Sequence, residues 1–131
     1  MEIRVSPAGG AKLAVNVDGF TVKTDLPVEK GGENTAPGPY RLFLSSIAAC
    51  AGIYAVNFCR QRNLPTEGLE VVQTWEHNES GSRLEKVRLE VNLPKDFPEK
   101  YRNAILKAVE LCPVKRALAD GPEVSVVLNA G

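Results

Sequence analysis

The chain has 131 residues, 44% of them apolar, and its 16 basic and 16 acidic side chains cancel. That length predicts one domain spanning residues 1–131, able to bury roughly two thirds of its unfolded surface around a single core. The balanced charge shows no basic stripe, which argues against a nucleic-acid binder, and the mixed, strand-like start from Met1 to Val5 predicts no secretory leader.

Ile3 and Val5 predict a first strand, ended by Ser6-Pro7-Ala8-Gly9-Gly10. Leu13, Val15 and Val17 alternate with polar neighbours, and Phe20 and Val22 resume the alternation after Asp18-Gly19. Asp-Gly between two alternating runs is a strong hairpin signal, because both residues tolerate the positive φ that such a turn requires. Pro27 to Pro39 is the longest irregular stretch, broken by Gly31, Gly32, Pro37 and Gly38, and a loop of this length in a small domain is usually functional or disordered.

A helix is predicted from about Pro39 to Arg62. It is uncharged from Leu42 to Cys59 and apolar on nearly every side. The run is at the short limit for a membrane span, which needs about 20 predominantly apolar residues, and it includes Ser45, Ser46, Gly52 and Asn57. The expectation is therefore a buried helix of a non-membrane protein, enclosed by its own sheet and by a second cover such as another subunit. Asn63-Leu64-Pro65 stops it.

Two strands follow, Leu69 to Glu76 and Leu84 to Leu93, joined at Asn78-Glu79-Ser80-Gly81. Asp96 is expected to cap a second helix with Pro98 and Glu99 in its first turn. Its apolar stripe is Tyr101, Ala104, Ile105, Ala108, Val109 and Cys112. Pro113 then opens a short helix to about Ala119, and a last strand is predicted from Glu123 to Leu128. The order β-β-β-α-β-β-α-β predicts an α+β fold, with antiparallel sheets wrapped around the long apolar helix and a second helix.

Three cysteines without a C-x-x-C pair argue against a zinc knuckle, and the lone His77, beside a turn, leaves a zinc-dependent hydrolase without ligands. Cys112 immediately precedes a helix start, where free N–H groups favour a thiolate, and Lys115 and Arg116 add positive charge. It reads equally as a buried small hydrophobe. Cys50 lies mid-helix with Ser46, Ile47, Ile53 and Tyr54 on its face, where Ser46 and Tyr54 can hydrogen-bond a thiolate; core filling is the plainer reading. Cys59 faces half a turn away from Cys50, so the two cannot pair within one helix, and Cys59 reads as structural.

The segment Gly38-Pro39-Tyr40-Arg41-Leu42-Phe43-Leu44-Ser45-Ser46-Ile47-Ala48-Ala49-Cys50 resembles the loop and helix opening of the OsmC/Ohr family, and Leu111-Cys112-Pro113-Val114 resembles that family's second cysteine motif. The resemblance covers nearly the whole chain. It implies a homodimer in the cytoplasm, with the apolar helices at its centre, reducing organic hydroperoxides without metal or organic cofactor. Cys50 would be the peroxidatic thiol and Cys112 the resolving one, with a dithiol such as a dihydrolipoyl group as reductant. Family peroxidases commonly place a Glu where this chain has Tyr40 or Arg41, and pair it with an Arg from the N-terminal strands. Here the Glu is absent from both positions, Glu33 lies outside the match, and Ala11-Lys12 follows Gly9-Gly10. Tyr40 and Arg41 are the candidates left for thiolate activation or substrate contact, alongside Ser46 and Tyr54. The alternative is a non-enzymatic module that binds an apolar small molecule or senses redox state.

Overall fold

Alternating side chains build a three-stranded antiparallel sheet from β1 (Ile3–Pro7), β2 (Leu13–Val17) and β3 (Phe20–Thr24), in that order, with Val15 opposite both Val5 and Val22. Asp18 (φ 48°) and Gly19 (φ 82°) turn β2 into β3, as the dipeptide predicts. The structure, a computed structural model, describes residues 1–129 and falls into two compact units, one from Met1 to Ser45 and one beginning at Ser46.

In the first unit, the stretch after β3 is irregular but not formless. A single 3-10 turn, Val28–Lys30, ends at Gly31 (φ 92°). The organising group is Asp25, buried at 1% exposure immediately after β3. Its carboxylate accepts the N–H of Leu26 (2.7 Å), Glu33 (3.3 Å) and Thr35 (3.0 Å), and the Thr35 hydroxyl (2.6 Å). Those donors stabilise the ionised form and hold the carboxyl well below the usual carboxylate range, led by the Thr35 hydroxyl. Gly32 passes so close to this hub that a Cβ there would lie 2.7 Å from Asp25 Oδ1 and closer still to the Leu26 carbonyl.

The long helix α1 (Pro39–Gln61) forms as expected. By length and composition it is apolar enough to cross a membrane. Leu44, Ile47, Ala51, Ala55 and Phe58 recur every three or four residues and are buried. Within the one chain Tyr40, Phe43 and Ile53 are exposed, which is the part of the helix the expectation assigned to a second cover such as another subunit. Asn63, at φ 55°, terminates the helix in the left-handed conformation, and Leu64 N–H closes on the Cys59 carbonyl at 2.9 Å.

In the second unit, β4 (Glu70–His77) and β5 (Leu84–Asn92) form an antiparallel hairpin, with Val71 opposite Val91 and Trp75 opposite Val87. One face is wet: Arg88, Glu90 and Asn92 are exposed, while Val87, Leu89 and Val91 are half-buried. Val71, Leu89 and Val91 pack on a core of Ala51, Ala55, Phe58, Cys59, Ile105 and Val109. His77 is exposed at the end of β4, next to the turn and beside an irregularity in register.

Two elements differ from their expected form. The second helix α2 spans Arg102–Glu110 and is preceded by a 3-10 turn, Glu99–Tyr101, so it starts later than Asp96 predicts. Asp96 adopts φ 61°, and no side chain caps either the 3-10 turn or α2. A residue in that left-handed conformation redirects the chain rather than capping a helix, for which extended backbone is needed. The short helix α3 spans Pro113–Ala119, as predicted, but the last strand does not form. Val124, Val126, Val127 and Leu128 are all more than 80% exposed and unpaired, although their pattern suits a strand. A strand exists only with a neighbouring ladder to bond to, and among the described residues this segment has none. The fold class is α+β, with antiparallel sheets and, among the described residues, three α-helices.

Candidate redox site

Cys112 ends the apolar stripe of α2 and begins α3. Its backbone is extended (φ −61°, ψ 139°), Pro113 follows at the first helical position, and its Sγ accepts the Lys115 N–H at 3.4 Å. The sulfur therefore occupies the capping place that an Asp or Ser oxygen usually takes. At 1% exposure it is otherwise sealed. It lines an apolar cavity of about 270 Å³, walled by Ile47, Val87, Leu89 and Val109, with Glu110 and Lys115 as the charged members.

Cys50 is half-buried on α1, three residues beyond the cavity-lining Ile47. All three thiols are free. Cys59 is fully buried among Ala55, Phe58 and Ile105, matching its structural reading; burial pushes its thiol pKa up, with Arg62 pulling the other way. A thiol so placed is a poor nucleophile, because apolar burial penalises the thiolate.

The other candidates are more scattered. Tyr40 is 48% exposed and stacks obliquely on Phe43, with ring centroids 5.6 Å apart. Arg41 is exposed on the first turn of α1, and its carbonyl accepts the Ser45 hydroxyl at 2.7 Å. α1 runs on from Pro39, so Arg41 precedes Cys50 by nine residues along it. Ser46 is exposed and Tyr54 half-buried. In the first unit, Lys12 and Glu33 form an ion pair at 3.4 Å. Asp25 belongs to no recognisable sequence motif. Its only signal was an acidic residue between a strand end and a Gly/Pro-rich loop whose N–H groups needed an acceptor. No group of three or more His, Cys, Asp or Glu among the described residues is arranged to hold a metal ion.

The long apolar helix, two antiparallel sheets and two further helices define an α+β class of fold. The profile of the OsmC-like protein family matches residues 31–127, and the chain belongs to that family. Among solved structures, it resembles a Psychrobacter arcticus 273-4 protein named for osmotic stress induction and a detoxification response, with TM-score 0.74, 19% identity, and 88% and 85% of the two chains covered. An OsmC-like protein from Mycoplasma pneumoniae gives TM-score 0.72 at 17% identity, covering 92% and 87%. The organic hydroperoxide resistance protein OhrB of Bacillus subtilis gives 0.52 at 19%, covering 92% and 93%. No curated protein matches.

Proposed function

We propose that this chain reduces organic hydroperoxides through a two-cysteine cycle, acting as a cytoplasmic homodimer. The observation that carries the reading is the placement of Cys112: a thiol hydrogen-bonded at the start of α3, buried in the wall of an apolar cavity that Ile47, three residues before Cys50, also lines. The likeness to a protein named for organic hydroperoxide resistance supports the choice of substrate.

In the proposed cycle the Cys50 thiolate attacks one oxygen of the hydroperoxide. An S–O bond forms, the O–O bond breaks, and the alkoxide leaves and takes a proton as the alcohol. Cys112 then displaces water from the Cys50 sulfenic acid, forming the disulfide. A dithiol such as a dihydrolipoyl group returns both thiols by exchange and leaves as its own cyclic disulfide. The cavity's aliphatic wall suits an apolar alkyl group. Arg41 would contribute charge only from a second copy, given its distance along α1. That second copy would also cover Phe43 and Ile53 and offer the terminal segment a ladder to join.

The test is consumption of an alkyl hydroperoxide with excess dihydrolipoamide. Turnover is expected in the natural chain, none in Cys50→Ser, and a single stoichiometric event in Cys112→Ser. Absence of turnover with several hydroperoxides and several dithiols refutes it. The burial of Cys112 in the wall of an apolar cavity supports a second reading, a non-enzymatic module that binds an apolar small molecule with that sulfur as a core residue; the sensing form of that module needs slow oxidant access to the same sulfur. Slow disulfide formation without turnover marks the sensing form. Ligand binding unchanged in the double Cys→Ser variant marks the binding form.

A further inference from the structure

We propose that the first unit carries a second site, independent of the thiols, that binds a small organic carboxylate through Lys12, Lys23 and Thr24. Thr24 is the last residue of β3, paired with Leu13 of β2. It is only 3% exposed, and its buried hydroxyl has no hydrogen-bond partner among the described residues. Buried polar atoms nearly always find a partner, because one left open keeps the full cost of losing water. An orphaned hydroxyl thus asks what completes it.

Thr24 lines a cavity of about 300 Å³ together with Lys12, Lys23, Thr35, Leu13 and Ala36. Two lysines and no acidic residue line this cavity, so its charge favours an anion. The nearby acidic groups are already engaged. Asp25 spends its oxygens on loop N–H groups and on the Thr35 hydroxyl. Glu33 holds Lys12 only at 3.4 Å from a largely exposed position, a bond readily exchanged for another carboxylate.

The remaining wall is aliphatic, and the volume lies at the small end of ligand pockets. A carboxylate head accepting from the Thr24 hydroxyl and the lysines, with a short aliphatic or aromatic body against Leu13 and Ala36, fits both properties. Bare phosphate fits only the first.

The test is a calorimetric and NMR titration of the full chain with benzoate, butyrate and, for comparison, inorganic phosphate. Saturable binding of a carboxylate is expected, with shifts at the Leu13 and Thr24 amides, weakened about tenfold or more in Thr24→Val and in Lys23→Gln. Glu33→Gln, which releases Lys12, is expected to tighten it. Thr24→Val keeps the side-chain shape, and an unfolding midpoint at or above that of the natural chain shows that any loss is not misfolding. No saturable binding, equal affinity in Thr24→Val, or binding of phosphate with both carboxylates excluded would each overturn the proposal.

Discussion

Replacing Gly32 by alanine adds one methyl group where the loop has no room for it. The new carbon would press on the Leu26 carbonyl and on Asp25 Oδ1, and neither can retreat freely. The carbonyl accepts the Asn34 N–H at 2.9 Å, and the carboxylate oxygen holds the Leu26 N–H at 2.7 Å. Overpacking of a fixed site costs about 1–3 kcal/mol, and a displaced hydrogen bond adds about 1, so Gly32→Ala should lose about 2–4 kcal/mol. Gly52→Ala is the matched control. It sits inside α1, a Cβ there meets nothing within 4 Å, and alanine should gain about 1 kcal/mol of helix propensity. Urea unfolding of both variants, at two protein concentrations to separate fold stability from self-association, measures the gap. If Gly32→Ala unfolds within about 0.5 kcal/mol of the natural chain, the loop is not held as described.

Three further outcomes are expected. The depressed pKa of Asp25 means that its stabilising contribution is complete above the ordinary carboxylate value of 3.8 and falls away as the pH drops below it; Asp25→Asn should flatten that acid limb in melting curves taken against pH. Cys59→Ser buries a hydroxyl among apolar neighbours and should cost about 1–3 kcal/mol in chemical denaturation, while leaving hydroperoxide turnover per folded molecule unchanged. If a second copy pairs with the terminal segment, Val126→Lys should shift the species seen by light scattering from dimer to monomer; a natural chain that is already monomeric refutes the dimer.

What could be read in advance depended on how local each cause was. Asp18-Gly19 and Cys112-Pro113 act through their own backbone, so both the hairpin and the α2–α3 junction were legible. The existence of α1 followed from its long uncharged apolar run, but its buried stripe did not, because a helix apolar on nearly every side offers no period to read. Asp96 misled because the same residue type serves both helix caps and left-handed corners, and here Pro98 and a 3-10 turn delay the helix. Glu123 to Leu128 has the alternation of a strand without a partner to realise it, and alternation says nothing about where a ladder will be found. Asp25 was invisible for a related reason. Its importance lies in donors up to ten positions away, which no short pattern announces.

The sulfur that starts α3 gives the molecule a built-in reporter. The Lys115 amide proton rests on Cys112 Sγ, and any chemistry at that atom, whether alkylation, a mixed disulfide or an internal bridge, changes what the proton leans on. One resonance in a nitrogen-15 spectrum would then track the oxidation state of a group that bulk reagents can scarcely touch. The first turn of the helix behind it should loosen in step, so covalent change at one atom is transmitted as fraying of the adjoining backbone.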